Sequence, residues 1–238
     1  MSTLTTLHRP PRSYVLRRSH FSPAQRDAHA RLMPRFGISP QDTLLDFDAI
    51  FGRRAPTVLE IGFGMGDTTA RIARERPDWN FIGVEVHTPG VGALLRQIEA
   101  HGIENLRVIE HDVEFVLQRM IAPASLTGVH IFFPDPWPKA RHHKRRLVKE
   151  QFLTNLFALI TEPGYVHCAT DWPDYAQQIG DAMKASPFSR VIDRDAAVRE
   201  SAFPFASMIS DRPLTKFEKR GLGLGHPISD LLALRAAR

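Results

Sequence analysis

Four carboxylates in this chain stand at or just after the ends of short apolar segments, an arrangement suited to binding one ligand. They are Glu60, Glu85, Asp112 and Asp135. Carboxylate oxygens accept hydrogen bonds and attract cations. If the apolar segments are parallel strands, their carboxyl ends meet at one edge of a sheet, where open α/β folds bind ligands. Each of the first three acids could instead cap a helix, but together they predict a common crevice, into which Asp135 also opens.

A glycine-rich loop follows Glu60 and sharpens the prediction of the ligand. Its three glycines are Gly62, Gly64 and Gly66. Their spacing differs from the G-x-G-x-x-G of dinucleotide-binding folds, and Glu60 would repel a pyrophosphate. S-adenosylmethionine has no phosphate and carries a sulfonium and an ammonium, so it suits these acids. We therefore predict S-adenosylmethionine as the cofactor, with Glu85 accepting hydrogen bonds from its ribose and Asp112 from its adenine amine.

The segment FFPDPWPKARHHKRR, residues 132–146, joins an apolar run to a dense group of cations. Pro134 and Pro136 restrict the backbone on both sides of Asp135, and Trp137 offers a face for stacking on a base. Without the cations this would be a proline-rich turn with an N-cap aspartate and a core tryptophan. With them, we interpret the segment as holding a phosphate backbone and bringing a base to Asp135. The candidate phosphate-binding residues are Lys139, Arg141, His142, His143, Lys144, Arg145 and Arg146.

Charge is unevenly distributed along the 238 residues. Residues 1–35 carry a net charge of +6 and residues 136–149 another +6, whereas the remaining 189 residues carry −7. Either basic segment alone could be a solvated tail or helix face. Two such segments on an acidic body favour a polyanionic partner, because clustered cations displace counterions from phosphates. We therefore expect a nucleic acid to bind.

The elements that would position these residues follow a strand, turn and helix rhythm from Thr57 onward. The predicted strands are 57–61, 80–86, 106–109, 128–133 and 164–169, with two more near 188–193 and 213–219. Helical patterns lie near 67–76, 89–101, 113–121, 144–160 and 173–185. Nearly continuous apolar strands separated by helices are typical of a parallel sheet covered on both faces. We predict an α/β fold with a doubly wound, Rossmann-like, seven-stranded sheet, mostly parallel with an antiparallel edge.

Ahead of this sheet, Ser22 and Pro23 provide an N-cap and a first-turn proline for a helix that runs to about Arg35. We assign residues 1–35 to a basic N-terminal arm and helix. Residues 36–238 are assigned to one domain that binds the cofactor, since their length suits a single core.

Several classes of protein are disfavoured by composition. Cys168 is the single cysteine, which rules out an internal disulfide. We see no apolar run of membrane-spanning length and no secretory signal, so no membrane partner and a cytoplasmic location are expected. The spacing of His and Cys resembles no zinc site, so no metal is predicted. No obligate protein partner is evident, and whether the protein forms a homo-oligomer is left open.

Five motifs together resemble bacterial tRNA (guanine-N7-)-methyltransferases. In chain order they are ExGFGMG, GVEVHTPGVGALL, FFPDPWPKARHHKRR, ATDW and TKFEKRG. The resemblance runs from about Arg12 to Gly225; its third motif is highly specific, whereas the glycine loop occurs in many methyltransferases. Residues 1–11 and the tail after His226 match no motif, and Pro138 stands where the family is more variable.

This resemblance implies a class I methyltransferase domain over residues 36–238 and a target guanine in the tRNA variable loop. It implies cofactor contacts at the four acids, with Asp135 also the catalytic residue. It implies RNA contact by the block from Arg141 to Arg146. The other tRNA contacts that it implies are Lys139, Asp171, Thr215, Lys216, Phe217 and Glu218.

The implied chemistry fits these residues. Guanine N7 carries a lone pair and no proton, so direct displacement at the sulfonium methyl needs neither deprotonation nor a metal. Asp135 can stabilise the positive charge that develops on the base and accept a hydrogen bond from it. Asp171 or Glu218 can complete recognition of the guanine.

Three other functions compete with this interpretation. A methyltransferase acting on a small molecule would share the glycine loop and Glu85 but leaves both basic segments unexplained. A non-catalytic RNA-binding protein on a methyltransferase fold would not need acids at every strand end. An NAD-dependent oxidoreductase is disfavoured by the glycine spacing.

Overall fold

The computed structural model describes residues 13–14, 20–188, 190–199, 205–210, 212–213, 215–223 and 225–235. The strands in this part of the chain are β1 (Thr57–Ile61), β2 (Asn80–Glu85), β3 (Leu106–Glu110), β4 (Leu126–Phe132), β5 (Ile160–Thr170), β6 (Arg190–Asp193) and β7 (Ser229–Arg235). The α-helices are α1 (Pro23–Phe36), α2 (Phe47–Phe51), α3 (Asp67–Glu75), α4 (Thr88–His101), α5 (Val113–Arg119), α6 (Glu150–Leu159), α7 (Pro173–Ala185), α8 (Arg194–Arg199), α9 (Ala206–Ser210) and α10 (Lys216–Gly223). A 3₁₀ helix spans Ala140–Arg145.

The seven strands form one sheet in the order β3-β2-β1-β4-β5-β7-β6. Strands β1 to β5 pair in parallel, and β7 pairs antiparallel with both β5 and β6. The predicted α/β fold, mostly parallel with antiparallel pairing at one edge, is confirmed. The strand order reverses between β1 and β4, which places the switch point of the sheet there.

The core lies on both faces of this sheet, because successive strand residues point to opposite sides. Leu59 and Ile82 belong to one cluster of buried apolar residues, while Val58 and Phe81 belong to the other. Burial on both faces explains why the strand sequences are continuously apolar rather than alternating.

Helix α1 begins at its predicted position and packs on the domain. The Ser22 hydroxyl accepts a hydrogen bond from the Gln25 N–H, and the Gln25 side chain accepts one from the Ser22 N–H, which completes a capping box. Phe36 at the other end is buried in the core, with the Arg107 guanidinium of β3 5.7 Å from its ring centroid. Helix α1 also packs against α4 of the following domain. The boundary that we placed at residue 36 therefore marks a change in charge along the chain, not a break in the packing.

Two element predictions are wrong. The helix predicted for 144–160 begins only at Glu150, because Arg146 leaves the helical conformation with a ψ angle of 133°. The buried Val148 then donates its N–H to the Tyr175 hydroxyl at 3.0 Å instead of to a helical carbonyl. The strand predicted for 213–219 is instead the start of α10. The seventh strand is β7, which lies in the tail that matched no motif.

The start of α10 had a sequence signal that strand prediction overlooked. The Glu218 N–H donates to the Thr215 hydroxyl at 3.0 Å, and the Glu218 carboxylate accepts from the Thr215 N–H at 3.4 Å. This is a capping box, recognisable as T-x-x-E. Among the described residues, none of the helices is long and apolar enough to cross a membrane.

Candidate active site

The carboxyl ends of β1 and β4 lie side by side at the switch point of the sheet. Two cavities open there, of about 200 and 340 Å³, and both are bordered by Gly62 after β1 and Phe133 after β4. Glu85 and Asp135 also border the first cavity, and Glu60 borders the second. Doubly wound sheets bind ligands at this kind of crevice. Three of the four predicted acids therefore meet at one place.

The glycine loop between β1 and α3 depends on left-handed backbone. Gly62, Gly64 and Gly66 have φ angles of 74°, 60° and 77°, which residues with a Cβ rarely adopt. The loop is also tightly packed, because a Cβ on Gly66 would lie 2.6 Å from the Leu94 side chain in α4. These glycines are thus required by the shape of the loop, before any ligand is considered.

Glu85 holds this loop by accepting backbone hydrogen bonds. One of its oxygens accepts from the Gly64 N–H at 2.8 Å, and the other accepts from Val86 and His87 at 2.7 and 3.0 Å. A carboxylate offers about four acceptor sites, so capacity remains for the ribose hydroxyls predicted from the sequence. Glu85 thus fixes the loop and borders the cavity at the same time.

Glu60 borders the second cavity although it is only 6% exposed. Burial, together with a smaller contribution from the nearby charge of Glu85, raises the pKa of Glu60 to about 7. Thr215 borders the same cavity. A cation placed here would favour the ionised carboxylate, so the environment of Glu60 fits a positively charged group.

Asp112 caps helix α5 beside the first cavity. Its carboxylate accepts from the Glu114 N–H at 2.9 Å and from the Tyr14 hydroxyl at 3.0 Å. Ser13 and Tyr14 border this cavity together with His111. Asp112 therefore has both of the roles considered for it, as a helix cap and as a neighbour of the crevice. The sequence had assigned nothing to Ser13, Tyr14 or His111, since their proximity depends on the fold.

Asp135 is exposed on a turn, and a residue on each side of it has a left-handed backbone conformation. Phe133 and Trp137 have φ angles of 52° and 46°, and non-glycine residues in this region cost of order 1–3 kcal/mol each. The Phe133 N–H donates to the Ala169 carbonyl of β5 at 2.7 Å, which ties the turn to the sheet. The packing around the turn must therefore hold Asp135 in place against this strain.

Trp137 packs within the basic segment. Its indole N–H donates to the Ser13 carbonyl at 3.1 Å, and the Arg145 guanidinium lies 4.8 Å from its ring centroid. The His142 ring meets it edge-on at 5.9 Å. Stacking of a base on Trp137, as predicted, would therefore have to share the ring with Arg145.

The basic block, from Lys139 to Arg146, follows Asp135 in the chain, and its cations are buried to different degrees. Lys139, Arg141 and Lys144 are exposed. His142, His143 and Arg145 are partly buried. Partial burial and the surrounding cations lower the pKa of His142, which favours its neutral form. The exposed members present positive charge beside the turn that carries Asp135.

Arg146 differs from the other residues of the block, because its side chain is 1% exposed. Its guanidinium donates to the Pro136 carbonyl, to Gln178 and to Asp174 at 2.8, 2.8 and 2.6 Å. The sequence predicted that Arg146 contacts RNA along with its neighbours. In the structure its donors are already used in hydrogen bonds within the protein.

The remaining predicted tRNA contacts come from two segments that lie together. A Cβ on Gly221 of α10 would lie 2.9 Å from the Asp171 side chain, so α10 packs directly against Asp171. Thr215 and Glu218 are buried, and the Glu218 carboxylate is paired with Arg212 rather than open to a base. The side chains of Lys216 and Phe217 lie outside the described residues.

Arg212 is a residue to which the sequence had assigned no function. It donates to both oxygens of Glu218, at 2.7 and 3.1 Å, and to both oxygens of Asp230 in β7, at 2.9 and 2.6 Å. His167 of β5 also bonds Asp230, at 2.7 Å. This buried cluster ties the start of α10 to the sheet, and the Arg212 guanidinium lies 5.8 Å from the Phe133 ring.

Within the part of the chain that the structure describes, no three His, Cys, Asp or Glu side chains are grouped to hold a metal ion. The structure presents a crevice whose buried and partly buried carboxylates can pair with a cation and accept hydrogen bonds from hydroxyl groups, and the exposed carboxylate of Asp135 borders it.

Comparison with known proteins agrees with this geometry. Residues 54–231 match a family model described as "Putative methyltransferase". A protein of Nitrosomonas europaea named tRNA (guanine-N(7)-)-methyltransferase is 51% identical over 230 residues, which cover 97% of this chain and 99% of that protein. A protein of the same name from Bordetella pertussis is 50% identical, covering 94% of this chain and 85% of its own length.

Among solved structures, an antibiotic-related methyltransferase has a TM-score of 0.50 and 15% identity to this chain. The similarity covers 84% of this chain and 98% of the other. At this identity the likeness concerns the fold alone.

Proposed function

Because this chain belongs to the tRNA (guanine-N7-)-methyltransferase family, we propose that it transfers a methyl group from S-adenosylmethionine to N7 of a guanine in tRNA. One observation carries the proposal. Asp135 borders the crevice of the switch point on a strained, exposed turn, and the exposed cations Lys139, Arg141 and Lys144 follow it within nine residues of chain. A methyl donor in the crevice and a phosphate backbone on the cations would meet at this carboxylate.

The residues of the crevice fit the cofactor. Glu60 is a buried carboxylate beside a cavity and would neutralise the ammonium group. Glu85 and Asp112 would accept hydrogen bonds from the ribose and the adenine amine. The loop of Gly62, Gly64 and Gly66 allows close approach of the backbone. When bound, S-adenosylmethionine supplies the methyl group as an electrophile.

Asp135 would then act on the base. Guanine N7 needs no deprotonation, so the protein's contribution is orientation and electrostatic stabilisation. The carboxylate of Asp135 would accept a hydrogen bond from the guanine edge and stabilise the positive charge that the base gains. Asp171, against which α10 packs, lies beyond the end of β5, the strand next to the one that precedes Asp135. It is the better candidate for a second base contact, because Glu218 is paired with Arg212.

The tRNA backbone would lie along the exposed cations of the basic block, with the partly buried His142, His143 and Arg145 behind them. We place the target guanine in the variable loop on the basis of the sequence resemblance. A tRNA substrate also implies a cytoplasmic site of action. A small-molecule substrate would leave the exposed cations without a function. A purely RNA-binding role would leave the crevice and its carboxylates without one.

The test is a transfer assay with unmodified tRNA and S-adenosylmethionine labelled on its methyl group, followed by digestion and identification of the labelled nucleoside. The wild-type protein should yield 7-methylguanosine. Asp135→Asn should lower kcat by at least about 100-fold, because it removes the charge that stabilises the methylated base. Cofactor binding, measured by calorimetry, should be weakened but measurable.

Asp78→Asn serves as the matched control, because Asp78 is exposed in the turn before β2 and lies away from the crevice. Its kcat should equal that of the wild type. Cofactor binding with no label in tRNA would point to a small-molecule substrate. Label in tRNA at full rate with Asp135→Asn would remove Asp135 from the mechanism.

A further inference from the structure

Arg146 is the one member of the block from Lys139 to Arg146 whose side chain is buried, although its sequence context gives no sign of this. Arg141 and Lys144 are exposed, while the side chain of Arg146 is 1% exposed. A guanidinium is retained in a protein interior only where its charge and donors are satisfied. The burial therefore calls for a function other than neutralising phosphate.

The contacts of Arg146 meet that requirement and connect three parts of the site. Nε donates to the Pro136 carbonyl at 2.8 Å, one residue after Asp135. The two terminal nitrogens donate to Gln178 and Asp174 of α7 at 2.8 and 2.6 Å. The guanidinium also lies 4.8 Å from the centroid of the Tyr175 ring, which stabilises a buried cation.

The position of Pro136 gives this hydrogen bond its importance. Pro136 lies between Asp135 and Trp137, inside the turn whose backbone is strained at Phe133 and Trp137. Such a backbone persists only where surrounding contacts hold it. The Phe133 N–H is bonded to β5 on one side of Asp135, and Arg146 supplies the bond on the other side.

We propose that Arg146 is a positioning residue that holds the Asp135 turn against α7, and that it does not contact RNA. The planar fork of arginine can donate in three directions at once, to Pro136, Gln178 and Asp174. Lysine carries the same charge on a single nitrogen and cannot reproduce this geometry. A lysine at position 146 would keep the charge but should therefore not restore the position of the turn.

The inference rests on the proposed methyl transfer to tRNA, and its test compares two kinds of arginine in one block. Arg146→Lys should lower kcat between about 10- and 100-fold, because small displacements of a catalytic group are costly. Its tRNA affinity and the dependence of that affinity on salt should equal those of the wild type. Arg141→Gln should instead weaken tRNA binding and reduce the slope of log K against log salt by about 0.7.

Two further variants keep the test decisive if Arg146→Lys folds poorly. Gln178→Leu leaves Arg146 in place but removes one of its acceptors, and it should lower kcat in the same direction with the salt slope unchanged. Arg119→Lys is the matched control, because Arg119 lies outside the block, is 60% exposed and is paired with Asp42. Its kcat and tRNA affinity should match those of the wild type.

Hydrogen exchange of the amides in residues 132–140 gives a measure that is independent of activity. Exchange there should accelerate in Arg146→Lys and in Gln178→Leu, while exchange in β2 and β3 stays as in the wild type. If the wild type transfers no methyl to tRNA, the proposed function fails and this exchange result alone decides the role of Arg146. If the wild type is active, an Arg146→Lys variant with full kcat and a reduced salt slope would show that Arg146 is an RNA contact after all.

Discussion

At the scale of single residues, Glu60 and Asp135 are carboxylates of the same crevice in opposite environments. Asp135 is exposed on its turn, whereas Glu60 is 6% exposed and has a pKa raised to about 7 by burial. Keeping this acid in the interior therefore lowers the free energy of unfolding at neutral pH. This cost is consistent with a site built to meet a cation.

The cost of Glu60 leads to a prediction about stability. At pH values between 4.5, the ordinary pKa of a glutamate, and about 7, the folded protein binds more protons at Glu60 than the unfolded chain does. The free energy of unfolding therefore falls as the pH rises through this range. Glu60→Gln should raise the free energy of unfolding of the cofactor-free protein by about 3 kcal/mol at pH 8 and by less than about 1 kcal/mol at pH 5. Urea denaturation at the two pH values measures this difference.

The same variant should bind S-adenosylmethionine more weakly, since the cofactor's ammonium loses its counter-charge. Glu85→Gln is a useful comparison, because its carboxylate accepts from three backbone N–H groups and its replacement should destabilise the loop. A Glu60→Gln protein that is no more stable than the wild type at pH 8 would show that Glu60 is accommodated without cost.

At the scale of elements, the buried cluster around Arg212 decides where α10 begins. Arg212 bonds Glu218 in α10 and Asp230 in β7, and His167 of β5 bonds Asp230 from the other side. Burial opposes ionisation of Asp230, but the hydrogen bonds from His167 and Arg212 outweigh it and lower its pKa to about 2. The segment that follows Thr215 is thereby fixed to the sheet next to Asp171.

This arrangement predicts that Arg212→Ala is strongly destabilising. Removing Arg212 leaves the buried charge of Glu218 without its partner and leaves Asp230 with His167 and the more distant Arg194, at a cost of about 3–5 kcal/mol. Arg71→Ala is the control, because Arg71 also pairs with a carboxylate, Glu75, but at an exposed site. Its cost should stay below about 0.5 kcal/mol. Urea denaturation of both variants measures these costs, and equal losses would mean that the Arg212 cluster is no stronger than a surface ion pair.

At the scale of the whole molecule, the structure redistributes the positive charge that the sequence displays. Arg31 of α1 is paired with Asp27 and Glu99, and Arg35 is paired with Glu104. The pairs with Glu99 and Glu104 attach α1 to the domain, and the charges of both arginines are already balanced by these acids. The exposed residues of the basic block therefore supply the positive charge beside the crevice. The arginines at 9, 12, 17 and 18 lie outside the described residues.

Two deletions would separate the functions of the N-terminal segment. Deletion of residues 1–12 removes Arg9 and Arg12 but keeps Ser13 and Tyr14 beside the first cavity. It should weaken tRNA binding and reduce the slope of log K against log salt by up to about 1.4, with the same base methylated and cofactor affinity unchanged. Deletion of residues 1–20 should in addition weaken cofactor binding, since it removes the Tyr14 hydroxyl bonded to Asp112.

Binding titrations of tRNA at several salt concentrations and calorimetry with S-adenosylmethionine would measure both effects. A salt slope unaffected by either deletion would make residues 1–20 a solubilising tail. Equal cofactor affinity for the two deletions would mean that Tyr14 contributes nothing to the cofactor site.

The amino-acid sequence by itself determined the fold class, the positions along the chain of the first five strands, and the acids at or just after the ends of four of them. These features are local, because apolar runs, glycine spacing and the residue at a strand end can be read within a few positions. The first helix was predicted for the same reason, from Ser22 and Pro23. The start of α10 was equally local, as a T-x-x-E capping box, and was overlooked because the stretch was taken for a strand.

Only the tertiary structure decided which cations face a ligand and what holds the catalytic turn. Arg145 and Arg146 are neighbours in the sequence, yet one lies on Trp137 and the other is buried against α7. Tyr14 meets Asp112 across 98 residues of chain, and Arg212 meets β7 in a tail without a motif. Burial is set by which distant segments pack together, and no local pattern in the sequence encodes that.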